Sequence, residues 1–269
     1  MRIAVFSRFP LFDVPRWKRI VCERLLGSGA ELLVVYSRSS PRDHLIGGLH
    51  MSLDSPAAIR GRIAAALAPG DRDCEEVAPS PGRARSSPSS PVTLARWAGE
   101  HRVQVAKHGK LSDEACLEDV LRFAPDLAIL LGADIVPADL VRVPKLGMIN
   151  AHFGLLPKYR GVNVAEWSIY QDDPVGVSVH LVDPGIDTGD ILLRMSVPVR
   201  QGETLAQIRS TQRSIATDLL CAAVDAIALG TANPVTQRVE EGRQYYRMHP
   251  VLVQRVVRRL ERGDYRWLT

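Results

Sequence analysis

The sequence predicts an α/β protein with a doubly wound, Rossmann-like and mostly parallel sheet. Short apolar, β-branched runs alternate with runs of helical periodicity along most of the chain, which is typical of parallel strands joined by crossover helices. At 269 residues, with 46% hydrophobic and 24% charged residues, the chain can bury one large core. We expect a main domain over residues 1–200 and a small C-terminal α+β extension over residues 201–269.

The first third of the chain is predicted to contain one βαβ unit and one further helix, because each periodic run ends at turn residues. The predicted strands are Arg2 to Ser7 and Glu31 to Tyr36, the helix between them is Val14 to Leu26, and the further helix is Pro56 to Leu67. The tract from Ser80 to Pro91 is rich in Pro, Ser and Arg and is predicted to be a surface loop.

The rest of the chain continues the alternation. The run from Asp126 to Leu131 (DLAILL) is fully apolar after its first residue, as expected of a strand buried on both faces. The other predicted strands are Val103 to Lys107, Leu146 to Ala151, Val175 to Val182, Ile191 to Val197, Thr236 to Val239 and Gln244 to Met248. The predicted helices are Thr93 to His101, Ser112 to Phe123, Asn163 to Tyr170, Thr204 to Leu229 and a basic helix at Pro250 to Arg262.

Composition and charge limit the classes of protein to which this chain can belong. No run approaches the ~18 apolar residues of a membrane-spanning helix, and the start of the chain lacks the pattern of a secretory signal, so a cytoplasmic location is expected. The four cysteines form no CxxC pair, so reduced thiols and no metal site are expected. A net charge of +4 from 34 basic and 30 acidic residues does not indicate nucleic acid, and a phosphorylated substrate would explain it equally well.

Two polar motifs stand at the ends of predicted strands. The run Asn150 to Gly161 (NAHFGLLPKYRG) begins where a central strand ends, and Asp187 follows His152 by 35 positions within the turn-rich loop Asp183 to Asp190. In open α/β sheets, ligands bind at the carboxyl ends of strands. Alone, an Asn-x-His at a strand end is seldom catalytic and most Asp-Thr-Gly triplets are turns, but the two together indicate a functional site.

The residue types suit transfer of an acyl group to an amine. Asn150 can donate a side-chain N–H to the oxyanion that develops on the carbonyl oxygen. His152 can accept and release protons near neutral pH, and it points to the same side of an extended backbone as Asn150. Asp187 can orient the imidazole, favour its charged form or hold a water that relays the proton.

The two motifs resemble the signature of the formyltransferases that use 10-formyltetrahydrofolate, a family that includes methionyl-tRNA formyltransferase, glycinamide ribonucleotide formyltransferase, sugar N-formyltransferases and formyltetrahydrofolate deformylase. The resemblance covers Asp126 to Val199 well and the N-terminal half only in outline. It is specific, because two separated motifs agree in residue type and order. It implies that residues 1–200 form a formyltransferase catalytic domain.

The resemblance also implies roles for individual residues. The family's catalytic asparagine, histidine and aspartate fall on Asn150, His152 and Asp187. The loop that binds the pterin of the donor falls on Ala133, Asp134, Ile135 and Val136, and its other wall on Val182, Asp183, Pro184, Gly185 and Ile186. The chain departs from the family at Asp134, where an apolar residue is common, and at Gly154, where many relatives have serine. We expect Gly154 to alter a local hydrogen bond rather than the chemistry.

The acceptor is predicted to be a primary amine of a small molecule, specifically an amino sugar or sugar nucleotide. Only 82 residues follow Asp187, whereas methionyl-tRNA formyltransferase has a sizeable C-terminal barrel, so the short tail is more similar to that of sugar-modifying members. The residues expected to line the acceptor pocket are Arg160, Gly161, Asn163, Glu166, Trp167 and Tyr170. Helix packing would explain Trp167 and Tyr170 equally well.

Three alternatives stay open. With water in place of the amine, the protein would be a formyltetrahydrofolate hydrolase. A methionyl-tRNA acceptor is the second alternative, and an RNA-binding or scaffold module on a decayed transferase core is the third, against which the intact Asn150, His152 and Asp187 argue. The basic helix is expected to be an exposed amphipathic face, and the C-terminal extension is expected to pack on the main domain or to form a homodimer contact.

Overall fold

The structure is a computed structural model that describes residues 1–7, 16–37 and 93–269. The predicted helix at 56–67, the Pro/Ser/Arg tract, Cys74 and the predicted start of the first helix at Val14 lie outside the described residues. Within the described ranges, most predicted elements are present with slightly shifted ends.

The elements alternate along the chain as the periodicity predicts. The strands are β1 (Arg2–Ser7), β2 (Glu31–Ser37), β3 (Gln104–His108), β4 (Leu127–Leu131), β5 (Met148–His152), β6 (Tyr159–Gly161), β7 (Gly176–Leu181), β8 (Ile191–Ser196) and β9 (Arg243–Tyr245). The helices are α1 (Arg16–Gly27), α2 (Leu94–His101), α3 (Glu114–Phe123), α4 (Ala138–Val141), α5 (Val164–Tyr170), α6 (Leu205–Ala228) and α7 (Pro250–Arg262), with a 3₁₀ turn at Val239–Glu241.

One large sheet organises the described part of the chain, in the order β3-β2-β1-β4-β5-β7-β8. Neighbours from β3 to β5 pair in parallel, whereas β7 is antiparallel to β5 and β8 is antiparallel to β7. The predicted mostly parallel sheet is confirmed. Its one antiparallel edge begins at the strand that carries Asn150 and His152.

Helices cover both faces of this sheet, which makes the fold doubly wound. On one face, α1, α2, α5, α6 and α7 pack against strand residues such as Val5, Ile129 and Val177. On the other face, α3 and α4 pack against intervening residues such as Phe6 and Met148. Among the described residues, β7 and β8 contribute nothing to this second apolar cluster. That face of the antiparallel edge is therefore available to polar side chains.

Capping residues in the sequence set several helix ends. The Thr204 hydroxyl accepts a hydrogen bond from the Gln207 N–H, and the Gln207 side chain accepts one from the Thr204 N–H at 2.8 Å, a capping box that starts α6. Thr93 caps α2 through its hydroxyl. Asp113 precedes α3 without such a bond, because its carboxylate accepts from the Lys110 N–H instead.

The C-terminal tail differs from its prediction. The expected strand at 236–239 is wrong, since only Val235 pairs there, in an isolated bridge with Ile191. Gln237 is instead buried, and its side chain bonds to carbonyl groups of the loop around Asp187. Strand β6, which pairs with β9, was not predicted, because three residues are too few to show a periodic pattern.

Cys22, Cys116 and Cys221 are buried free thiols within α1, α3 and α6. Burial raises the pKa of Cys22 to about 12 and that of Cys116 to about 11, so both stay protonated at neutral pH. In the described ranges, no helix combines the length and the apolar character that crossing a bilayer requires.

Candidate active site

A polar face on β5 and β7 lies at the antiparallel edge of the sheet. Asn150 pairs opposite His180, and His152 pairs opposite Ser178. Because side chains alternate along a strand, these four side chains project from the same face of the sheet. The residues between them, Ala151 and Val179, point into the apolar core on the other face.

Ser178 holds the turn that follows His152. Its fully buried hydroxyl donates to the Gly154 carbonyl at 2.8 Å and accepts from the Leu156 N–H at 3.0 Å. The chain then bends back until the Tyr159 carbonyl lies against the His152 ring. Ser178 thereby links the strand that carries the histidine to the segment that orients it.

His152 is buried and contacts a partner at each ring nitrogen. Its Nε2 lies 2.6 Å from the Tyr159 carbonyl oxygen, and since a carbonyl only accepts, Nε2 carries the proton. Its Nδ1 lies 3.3 Å from Asp187 Oδ2. Burial lowers the pKa of His152, and the Asp187 charge opposes this effect. The ring is thus neutral at neutral pH, with Nδ1 placed to take a proton that Asp187 would stabilise.

Gly154 gives the His152 ring its space. A Cβ atom at Gly154 would lie 2.8 Å from His152 Nε2 and 2.9 Å from the Tyr159 carbonyl oxygen, closer than packed atoms lie. A side chain there would press on the ring and its carbonyl partner. The departure from the family pattern at this position therefore bears on the histidine itself, beyond a local hydrogen bond.

Asp187 connects two imidazoles. Besides the contact with His152, its Oδ1 lies 3.4 Å from His180 Nε2, and its Oδ2 accepts from the Gly161 N–H at 2.8 Å. Burial raises the pKa of Asp187, but the contacts with His180 and His152 and the Gly161 N–H outweigh burial and lower that pKa to about 2. Asp187 is therefore ionised at neutral pH.

His180 belongs to the same group. Its Nδ1 lies 2.8 Å from the Leu181 carbonyl oxygen and donates to it, which leaves the Nε2 lone pair facing Asn150 Nδ2 at 3.3 Å. In the neutral ring this lone pair accepts from one amide N–H of Asn150, whereas in the protonated ring the Nε2–H donates to Asp187 Oδ1 instead. An amide nitrogen carries two N–H groups, and the second can meet an oxyanion.

His180 was not among the predicted site residues, although the sequence carries a signal for it. Within the apolar run Val175 to Val182, only Ser178 and His180 are polar, and they are two positions apart. Asn150 and His152 have the same spacing, which places each pair on one face of its strand. The antiparallel pairing of the two strands places these two pairs of residues next to each other. The sequence alone does not show that the strands pair in this way.

The two walls predicted to bind the donor flank β5. Residues 133–136 follow β4 and residues 182–186 follow β7, and these strands are the neighbours of β5 in the sheet. Ile135 is 84% exposed and Ile186 is 40% exposed, so each wall presents an apolar side chain. The Asp183 carboxylate accepts two hydrogen bonds within its own turn, which braces the second wall.

A family model described as Formyl transferase matches residues 78–224, more than half of the chain. The chain belongs to the formyl transferase family. All four polar residues of the β5 and β7 face, together with Asp187, lie inside the matched region.

Two curated relatives in this family are methionyl-tRNA formyltransferases. The protein from Pelobacter propionicus is 29% identical over 161 residues, which cover 59% of this chain and 50% of the relative. The protein from Desulfotalea psychrophila is 34% identical over 158 residues, which cover 58% of this chain and 48% of the relative. The chain thus spans about half the length of the curated relatives it matches.

Solved formyltransferases share the fold. An N-formyltransferase from Helicobacter canadensis, in complex with folinic acid and dTDP-3-aminofucose, aligns with a TM-score of 0.59 at 15% identity and covers 100% of this chain and 84% of that one. Glycinamide ribonucleotide transformylase 1 from Symbiobacterium toebii aligns with a TM-score of 0.57 at 16% identity, covering 86% and 88%. At these identities the likeness shows the fold alone.

In this formyl transferase family member, the expected acceptor residues at the start of α5 contact α6 and the C-terminal tail. Glu166 is buried, pairs with Arg209, and accepts from the Asn163 amide at 3.0 Å. Asn163 in turn accepts from the Met248 N–H at 3.2 Å. These contacts place the predicted acceptor region against the tail.

Some of the other expected acceptor residues contact the C-terminal tail, and one is exposed. Arg160 is buried and donates to the Gly242 carbonyl at 3.1 Å. Trp167 donates its indole N–H to the Tyr246 carbonyl at 2.9 Å, and Tyr170 is 37% exposed. A role for these residues in acceptor binding stays a prediction. Among the described residues, no cluster of three or more His, Cys, Asp or Glu is arranged to hold a metal ion.

Proposed function

We propose that this protein transfers the formyl group of 10-formyltetrahydrofolate to a primary amine of a small molecule, specifically an amino sugar or sugar nucleotide. The observation that carries the proposal is the Asp187 carboxylate, which lies 3.3 Å from one buried imidazole and 3.4 Å from a second. The Asn150 amide lies beside the second imidazole. This arrangement suits a reaction in which an oxyanion forms and protons move at neutral pH.

Each group has a role in formyl transfer. The amine nitrogen attacks the formyl carbon, and the new C–N bond pushes charge onto the formyl oxygen, where the Asn150 N–H stabilises it. The attacking nitrogen releases a proton to His152 Nδ1, and Asp187 stabilises the imidazolium that forms. The oxyanion then collapses, the bond to the folate nitrogen breaks, and that nitrogen takes the proton that His152 had accepted, which releases tetrahydrofolate and the formamide and restores the neutral imidazole.

Two observations bear on the acceptor. The Helicobacter canadensis N-formyltransferase was solved with dTDP-3-aminofucose and spans the whole of this chain, which supports a sugar nucleotide. The curated relatives are methionyl-tRNA formyltransferases, which supports methionyl-tRNA as the second candidate. We favour the small amine because the Helicobacter canadensis enzyme aligns with 100% of this chain, whereas the two curated relatives align with 59% and 58% of it.

The test supplies 10-formyltetrahydrofolate with amino sugars, sugar nucleotides, amino acids or methionyl-tRNA, and detects formylated product by mass spectrometry. We expect one small amine to gain a formyl group and the Asp187→Asn variant to form far less product. Formylation of methionyl-tRNA alone would replace the proposed acceptor. Tetrahydrofolate release at the same rate without any amine would show hydrolysis instead.

Three further predictions concern the whole protein. A cytoplasmic location, a homodimer contact through the C-terminal extension, and a domain boundary at residue 200 stay predictions from the sequence. Fractionation, light scattering at several protein concentrations and limited proteolysis would test them in turn.

A further inference from the structure

A tail segment beyond the family match contacts the candidate active site. The match ends at residue 224, yet the segment from Gln237 to Tyr245 lies against the loop that carries Asp187 and against β6. We call this segment the strap. Its contacts are made by one buried side chain and by one short strand.

The buried side chain is Gln237, which is 8% exposed. Its amide Nε2 donates to the Asp187 carbonyl at 3.1 Å and to the Gly189 carbonyl at 2.5 Å. One amide therefore joins two carbonyl groups of the loop, one of them on the catalytic candidate itself. Without these donors, buried carbonyl oxygens would lose their hydrogen bonds.

Asp187 needs such support because its backbone is left-handed, with φ of 55°. Residues other than glycine adopt this region at a cost, and they persist there when surrounding structure over-determines them. Gly189 adds a second constraint, because a Cβ at that position would overlap the Leu181 carbonyl. The Gln237 amide thus fixes a backbone conformation that aims the Asp187 carboxylate between His152 and His180.

The short strand of the strap is β9, which pairs in parallel with β6. The Arg243 N–H donates to the Lys158 carbonyl at 3.1 Å, and the Val162 N–H donates to the Tyr245 carbonyl at 3.1 Å. Between these two bonds, β6 supplies the Tyr159 carbonyl that holds His152 and the Gly161 N–H that holds Asp187. The strap therefore supports both ends of the His152–Asp187 contact.

We infer that Gln237 is a positioning residue for the formyl transfer proposed above, acting through the backbone of Asp187. The inference rests on that proposed function. Its physical basis is that a carboxylate displaced by about 1 Å from its reacting partner can slow a reaction by about 100-fold. Gln237 makes its two contacts on the loop backbone, so its loss changes the geometry of the transition state more than the binding of either substrate.

The experiment compares Gln237→Met with Gln207→Met in the full chain. Methionine keeps the length of glutamine and removes its donors. Gln207 lies in the capping box of α6, so its replacement weakens a helix end without contacting the Asp187 loop. We expect kcat of Gln237→Met to fall about 10- to 100-fold at nearly constant KM, while Gln207→Met lowers the melting temperature and keeps kcat.

A second readout follows the histidine directly. In ¹⁵N-histidine NMR, displacement of the Asp187 charge should lower the pKa of His152 in Gln237→Met and leave it unchanged in Gln207→Met. If Gln237→Met does not fold, Gln237→Asn, which keeps an amide on a shorter stem, should show the same changes to a smaller degree.

The outcomes separate the two proposals. A wild-type protein that forms no formylated product would overturn the proposed function. An active wild type with unchanged kcat and unchanged His152 titration in the folded Gln237 variants would overturn the positioning role and leave formyl transfer intact.

Discussion

Strands β3-β2-β1-β4 and strands β5-β7-β8 belong to one sheet, but they differ in what covers their second face. In the first group, residues such as Phe6 and Val35 pack under α3 and α4 in an apolar cluster. In the second group, Met148 at the start of β5 still packs in that cluster, but the rest of the corresponding face carries Asn150, His152, Ser178 and His180. The parallel group thus supplies apolar burial, which stabilises the fold, while the antiparallel edge holds buried polar groups that can carry a reaction.

The largest expected effect comes from the polar edge. Asp187→Asn removes the charge shared by two imidazoles, so His152 loses the carboxylate that stabilises its protonated form. We expect kcat for formyl transfer to fall by about 10²- to 10⁴-fold with the fold retained, as judged by steady-state kinetics and circular dichroism. A wild-type rate in this variant would show that the polar edge does not carry the reaction. His152→Ala should lower kcat to a similar extent.

A substitution in the core of the parallel strands should lower the stability of the fold and leave kcat unchanged. Ile129 lies on the central strand β4 and is 0% exposed, so Ile129→Ala opens a cavity and should lower the free energy of unfolding by about 2–5 kcal/mol. Urea unfolding measures this loss, and kinetics well below the midpoint should give the wild-type kcat per folded molecule. A large loss of kcat in folded Ile129→Ala would show that the two halves are not separable.

Acid should weaken the polar edge by a smaller amount. The pKa of Asp187 falls from 3.8 to about 2 on folding, so its ionised form contributes about 2 kcal/mol above pH 4, which is lost as the pH falls toward 2. The pKa of His152 is also lowered. Its contribution is therefore complete above its usual value near 6.5 and declines as the pH falls below that value.

Urea unfolding from pH 8 to about pH 2 and ¹⁵N-histidine NMR would check this prediction. We expect the free energy of unfolding to decrease with falling pH and His152 to titrate below 6.5. Titration of His152 above 6.5 would show that the Asp187 charge outweighs burial, which reverses the sign.

The sequence predicts the fold well where periodicity is long, and less well where contacts are distant. The apolar run at β4 and the helix that begins at Thr204 follow from local patterns, and both are present. The contact between His152 and Asp187 follows from two motifs at strand ends, and the structure places them 3.3 Å apart. Local signals explain these successes.

The features that the sequence did not predict depend on contacts between segments that are distant in sequence. His180 joins the site because β7 runs antiparallel to β5, and Gln237 contacts Asp187 across 50 positions. The residue pattern within each segment does not show which distant segment it contacts. The predicted strand at 236–239 was wrong for the same reason. Local propensity favoured strand pairing there, but a side chain of this segment instead forms a hydrogen bond with a carbonyl group that is distant in sequence.

The pairing of β6 with β9 also limits how this molecule can be recombined with its relatives. A chimera joined after α6 would keep the histidines and the carboxylate but exchange the strand that lies along Tyr159–Gly161. Close approach is strict there, because an added Cβ at Gly161 would overlap the Tyr245 carbonyl and one at Gly242 would overlap the Pro157 carbonyl. Exchange of the C-terminal tail between family members should therefore move both strands together, as a single transplantable unit.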